Sequence, residues 1–156
     1  MNNVSMKLSE HFTLVELTKT NTKIENVPNE AQMENLKRLC GWLEELRRRY
    51  NLRYFLRTEK DTEEPIIISS GYRSPQLNRK VGGSPTSNHL TGCAVDIRVA
   101  GIEQAMRYAV ILMDYADETK QDYDEILIEK NRYGAIWLHF AVRPRDNRRK
   151  TMFLQT

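Results

Sequence analysis

Ser87-Asn88-His89-Leu90-Thr91-Gly92-Cys93-Ala94-Val95-Asp96 begins as a polar, small-residue loop and ends as an apolar strand segment with a carboxylate set in it. Far downstream, Trp137-Leu138-His139-Phe140 again places one ionisable side chain in an apolar run. The two runs hold two of the chain's three histidines. A carboxylate between Val95 and Ile97 is costly to bury unless it is paired or metal-bound. Alternation places Ala94, Asp96 and Arg98 on one face of that strand, and Cys93, Val95, Ile97 and Val99 on the other. Two imidazoles and a carboxylate suffice as protein ligands for a catalytic zinc, with the fourth position left to water. His89, Asp96 and His139 are therefore the candidate Zn²⁺ ligands, and hydrolysis is the expected chemistry. The competing reading leaves Asp96 and Arg98 in solvent on a half-exposed strand and His89 solvated in its loop.

The segments Glu125–Glu129 and Ile136–Val142, separated by a short polar stretch with Gly134, read as a hairpin. Bringing Ile126, Ile128, Leu138 and Phe140 to one face requires even-numbered residues to oppose even-numbered ones, for instance Ile128 opposite Leu138. The same register sets Glu129 opposite Trp137, with His139 a diagonal neighbour at roughly 7–8 Å. Glu129 is thus the candidate general base. Cys93 is a rival ligand, but its parity opposes that of Asp96, which favours a packed thiol. His11 belongs to neither run and is expected at the surface.

Outward from these runs, Thr13 with Glu16 forms a capping box and Phe12 with Leu17 a hydrophobic staple, starting a short helix. Asn29 and Gln32 cap the longest helical pattern. Its residues Leu36, Leu39, Cys40, Leu43, Leu46 and Tyr50 share one face, and Arg47, Arg48 and Arg49 sit where the macrodipole favours cations. Asn51–Glu64 is a polar excursion interrupted by Arg53-Tyr54-Phe55-Leu56. Pro65–Ser69 reads as a buried strand, Ser74-Pro75 as a helix start, and Ala94–Val99 as a second buried strand. Ile102–Glu118 is a helix with Met106, Ala109, Val110, Met113 and Ala116 among its apolar residues. From Arg143 onward the chain is a basic tail.

The 156 residues suit one domain with its own core. A net charge of +3 allows an anionic partner without requiring one. Cys40 and Cys93, the only cysteines, give no disulfide framework. Met1–Thr20 carries no apolar signal-peptide core, and no run approaches the ~18 apolar residues of a membrane span. Cytoplasmic synthesis without a signal peptide is the expectation, and a substrate outside the membrane would need some other route of release.

Ser70-Gly71-Tyr72-Arg73-Ser74-Pro75-Gln76-Leu77-Asn78, the Ser87-x-His89-x-x-Gly92-x-Ala94-x-Asp96 run and Trp137-x-His139 together resemble the M15 family of zinc peptidases. That family includes D-alanyl-D-alanine carboxypeptidases and dipeptidases, and phage endolysins that cleave peptidoglycan peptides. His11–Leu17 and Asn26-Val27-Pro28 look like the start of its compact branch, so the resemblance spans Leu8–Val142. It implies that His89, Asp96 and His139 are zinc ligands, that Arg73 steadies the substrate carbonyl, and that Ser87 lines the site. Many members carry an acid three residues before the last histidine, where this chain has Ile136. The compact branch places an acid on the preceding strand, which is similar to Glu129, with Asp124 and Glu125 as alternatives.

The expectation is a single α+β domain of the hedgehog/D-Ala-D-Ala peptidase type, a mostly antiparallel sheet flanked by helices, with core at 8–142 and a tail at 143–156. Its function would be zinc-dependent hydrolysis of amide bonds in peptidoglycan stem peptides, by a monomer with no nucleic-acid partner and no membrane insertion. A non-hydrolytic, zinc-stabilised module that binds cell wall or a phage structural partner is the alternative, favoured by Ile136. A nucleic-acid binder using the Arg143–Lys150 segment is a weaker one, since no nucleic-acid motif accompanies it.

Overall fold

The computed structural model describes residues 6–55 and 63–156. Residues 1–5 of the N-terminal segment and 56–62 of the Asn51–Glu64 excursion lie outside them. The elements run α1 (Leu14–Thr18), α2 (Glu30–Tyr50), β1 (Ile68–Ser70), α3 (Pro75–Lys80), β2 (Ala94–Arg98), α4 (Ile102–Thr119), β3 (Glu125–Lys130), β4 (Ile136–Ala141) and β5 (Lys150–Gln155). Both predicted capping boxes form: Thr13 with Glu16 at α1, and Asn29 with Gln32 at α2. Ser74 caps α3, with Pro75 at its first position. After α2 the backbone widens into one π-type turn, Asn51–Phe55. The Asn51 side chain then donates to the Glu64 carbonyl at 3.0 Å and accepts from the Glu64 N–H at 2.6 Å, closing the base of the excursion.

The strands form one sheet in the order β1-β2-β4-β3-β5. All neighbours are antiparallel except β3 and β5. Ile128 faces Leu138 and Glu129 faces Trp137, a register with the even-to-even parity that the apolar pattern of the hairpin requires. β2 pairs with β4 so that Asp96 lies directly opposite His139.

Alternation divides the sheet's work between its two faces. Val95, Ile97, Ile126, Ile128, Leu138 and Phe140 belong to the hydrophobic core, together with Leu36, Leu39, Leu43 and Leu46 of α2 and Tyr108, Ile111 and Leu112 of α4. Each such fully buried side chain contributes about 1.5–3 kcal/mol relative to exposure. Trp42 on α2 joins the layers, with ring centroids 5.5 Å from Phe140 and 4.9 Å from Tyr115. The intervening residues Asp96, Glu125, Leu127, Glu129, Trp137 and His139 line a cavity on the other face.

Several expectations change. β1 is a three-residue edge strand, not a buried one over 65–69, and Ile67 between buried Ile66 and Ile68 is 38% exposed. An edge strand covered on one side hides only alternate residues. The α4 helix forms as expected, and of its apolar residues Met106 and Val110 face solvent while Ala105, Tyr108, Ala109, Leu112 and Ala116 are buried. The expected tail also needs correction. Its last part, β5, pairs in parallel with β3 along its whole length. Its apolar residues Met152, Phe153 and Leu154 are consecutive rather than alternating, and all six β5 residues are exposed. Among the described residues no helix is long and apolar enough to cross a membrane.

Candidate metal centre

His89 sits on a short 3₁₀ turn, Asn88–Thr91. Ser87 starts the turn by accepting the His89 backbone N–H on its hydroxyl at 3.1 Å. Gly92 ends it at φ 76°, where an added Cβ would meet the Gln32 carbonyl at 2.7 Å. The loop is thereby pressed onto α2, and His89 is 3% exposed rather than solvated. Its Nδ1 donates to the Gly71 carbonyl at 2.7 Å, which leaves the Nε2 lone pair facing inward. Gly71 lies against α1 so closely that a Cβ there would stand 2.3 Å from the Leu17 carbonyl oxygen.

His139 is oriented the other way round. Its Nε2 meets Glu125 Oε1 at 2.8 Å, and its Nδ1 points at Asp96 Oδ1 at 3.1 Å. Asp96 Oδ1 also stands 3.4 Å from His89 Nε2. Asp96, His89 and His139 are all buried, which excludes the solvated readings of Asp96 and His89. One donor atom from each of the three lies within 4.8 Å of the others. Tetrahedral ligands about 2.1 Å from a zinc ion stand roughly 3.4 Å apart, so the spacing and the N, N, O donor set fit a divalent cation. The outer nitrogen of each imidazole is held by a carbonyl or a carboxylate, the arrangement that aims metal-binding histidines.

Charge at the site follows from these contacts. Burial alone would raise the Asp96 carboxyl, but the two imidazoles overcome it and hold the group well below the usual carboxylate range. Burial works against the His139 imidazolium, yet Asp96 and Glu125 push it up to about 9. Burial would raise Glu125, but its hydrogen bond and charge pairing with His139, together with the Asn88 hydrogen bond, lower it. Glu129 moves the opposite way, raised by burial and by the Asp96 charge.

The three acids weighed from sequence separate cleanly. Asp124 is fully buried and is neutralised by Arg143 at 3.2 Å and Arg148 at 2.8 Å. Glu125 holds the outer nitrogen of His139 and also accepts from Asn88 Nδ2 at 2.8 Å. Glu129 alone of the three stands on the inner side, 3.8 Å from His139 Nδ1. Arg73 donates to Asp96 Oδ2 and to Asn78 Oδ1, both at 3.3 Å, and lines the cavity with Ser87. Ile136 packs against the core, so the acid sought there by resemblance would face away from the site. Cys93 is buried outside the cluster, its thiol raised by desolvation. His11, exposed as expected, pairs with Glu44 at 2.7 Å. Asn88, Arg143 and Arg148 were not anticipated. The only signal for Asn88 is its place beside His89, and the two arginines were concealed in the supposed tail.

An α+β sheet that presents two aimed imidazoles and a buried carboxylate to an open cleft of about 540 Å³ has the make-up of a metal-dependent hydrolase. The family model for Peptidase M15 matches residues 10–121, and the chain belongs to that family of metallopeptidases. Arg73, Ser87, His89 and Asp96 fall inside the matched region, while His139 and the β3 acids fall beyond it. No curated protein matches the chain.

Proposed function

We propose that the protein is a zinc-dependent peptidase that hydrolyses amide bonds in peptidoglycan stem peptides, with His89, Asp96 and His139 as the metal ligands. The observation that carries this reading is the convergence of His89 Nε2 and His139 Nδ1 on Asp96 Oδ1, with the Glu129 carboxylate on the same side. Zinc held there would act as a Lewis acid toward water and the scissile carbonyl. Glu129 takes the proton of the attacking water and returns it to the leaving amine, a cycle helped by a carboxyl whose affinity for the proton is raised. Arg73 offers its guanidinium to the carbonyl oxygen as charge develops there, and Ser87 borders the bound peptide. Glu125 takes no proton from the substrate and keeps the His139 ring in place.

The Arg143–Lys150 segment supports a peptidase more than a nucleic-acid binder. Arg143, Arg148 and Arg149 are engaged by Asp124, Glu125, Asp117 and Asp122 rather than free for phosphates. Action on the wall after lysis, or on wall fragments within the cell, belongs to the same proposal, as does a monomeric enzyme. Purified protein supplied with zinc and muropeptides should release new amino termini, and a chelator should abolish this until zinc is restored. One equivalent of zinc bound without any cleavage would sink the enzymatic reading and favour a wall-binding module.

Metal uptake should depend steeply on pH. The cation must displace the His139 proton, which the protein holds up to about 9. Affinity is therefore expected to rise about tenfold per pH unit from pH 7 toward 9, with about one proton released per ion at pH 7. Calorimetry in buffers of different ionisation enthalpy measures both. A flat affinity over that range would contradict the assignment of His139.

A further inference from the structure

We propose that Lys150 is a substrate-binding residue that selects peptides carrying a free carboxylate about one to two residues from the scissile bond. This rests on the peptidase reading and adds a substrate requirement to it. Arg73, Arg143, Arg148 and Lys150 line the cavity; Arg73 sits beside Asp96 at the scissile carbonyl's end, and Arg143 and Arg148 are engaged by Asp124 and Glu125. Among the described residues Lys150 has no carboxylate partner, although it is exposed and in register with Glu125. Against these four cations the cavity is lined by three carboxylates, Asp96, Glu125 and Glu129, with Asp124 buried behind them, so a bound dication would leave this cleft with surplus positive charge. A cleft so charged attracts anionic ligands and repels cationic ones.

The register sets the distance. Leu127 pairs with His139 on one side and with Met152 on the other, and Lys150 lies two residues before Met152. Two strand spacings of about 4.8 Å and two rises of about 3.3 Å place the Lys150 backbone roughly 12 Å from that of His139. Its four-carbon stem spans about half of this. The remainder corresponds to one or two residues of extended peptide at about 3.4 Å each. Leu154, farther along the same face of β5, lines the cleft and is 36% exposed, giving the substrate an apolar wall beyond the charge.

Peptidoglycan stems offer two such carboxylates, the α-carboxylate of a γ-linked D-Glu and the chain terminus. The test uses L-Ala-γ-D-Glu-L-Lys-D-Ala-D-Ala, its D-isoglutamine counterpart and its C-terminal amide, with wild type, Lys150→Met and Lys150→Glu. KM is read by cleavage, and Kd by tryptophan fluorescence, with Trp137 in the cleft, on the metal-free protein, which needs no turnover. One amidation should weaken wild-type binding about tenfold, and it identifies the carboxylate used. Lys150→Met should cost a similar factor on the parent peptide, and the two changes together no more than either alone. Lys150→Glu should weaken the parent peptide further. Additive losses, or equal Kd for all three peptides, would overturn the assignment. Binding that depends on Lys150 without cleavage would retain it and reject the peptidase reading instead.

Discussion

Glu129→Gln is expected to lower turnover on muropeptides by about 10²–10⁴-fold while leaving zinc uptake close to that of wild type. Glutamine keeps the size of the side chain and can still donate a hydrogen bond, but it cannot accept and return a proton. The loss should therefore fall on kcat, with KM little changed. Glu125→Gln provides the contrast, because its carboxylate meets the nitrogen of His139 that points away from the cluster. Outer contacts of this kind are worth about 10–100-fold in metal affinity, so that variant should recover activity at high zinc. Glu129→Gln should not. Rescue of Glu129→Gln by added metal, or a kcat within threefold of wild type, would remove Glu129 from the chemistry.

Asp96→Asn should abolish both metal binding and hydrolysis, and it should also destabilise the metal-free fold. The carboxylate offsets the charges of Arg73 and of the His139 imidazolium inside the sheet. Removing one member of a buried ionic group costs about 3–5 kcal/mol, and asparagine's hydrogen bonding brings the loss toward the lower end. For a domain of this size 3 kcal/mol corresponds to roughly 6–12 °C in Tm. The sign with pH is fixed by the shifts. Asp96 is depressed in the folded state, so its contribution is present above the unfolded value near 3.9 and lost on further acidification. His139 is raised, so its share is complete below about 6.5 and disappears as pH passes about 9. The gap between wild type and variant should be widest between these limits, as thermal melts in chelator across pH will show. An equal gap at pH 3 and pH 7 would contradict this account.

Much of the site was legible because strand parity is a strict code. The apolar residues Ile126, Ile128, Leu138 and Phe140 set the parity of the hairpin, and that parity puts Glu129 and His139 on one face. The capping boxes were equally readable, because Thr13, Glu16, Asn29 and Gln32 act over three residues. What escaped was non-local or unpatterned. Nothing near Asp96 in sequence announces that β2 lies beside β4, with Asp96 facing His139. β5 reads as part of a basic tail because Arg145, Arg148, Arg149 and Lys150 dominate the sequence leading into it and its pairing uses the backbone. With it went the roles of Arg143, Arg148 and Lys150. Glu125 and Glu129 share parity, so only the three-dimensional orientation of the imidazole separates the residue that holds the ring from the one that faces the cluster.

Gly71 gives α1 an influence out of proportion to its size. The Leu17 carbonyl accepts the Tyr72 N–H at 2.8 Å, and the preceding carbonyl, that of Gly71, holds His89. The helix donates nothing to the reaction, yet it sets the aim of an imidazole seventy residues away through one peptide unit. Damage to α1 would accordingly misaim that ring as well as loosen the core around Leu17, and could be mistaken for a lesion in His89 itself.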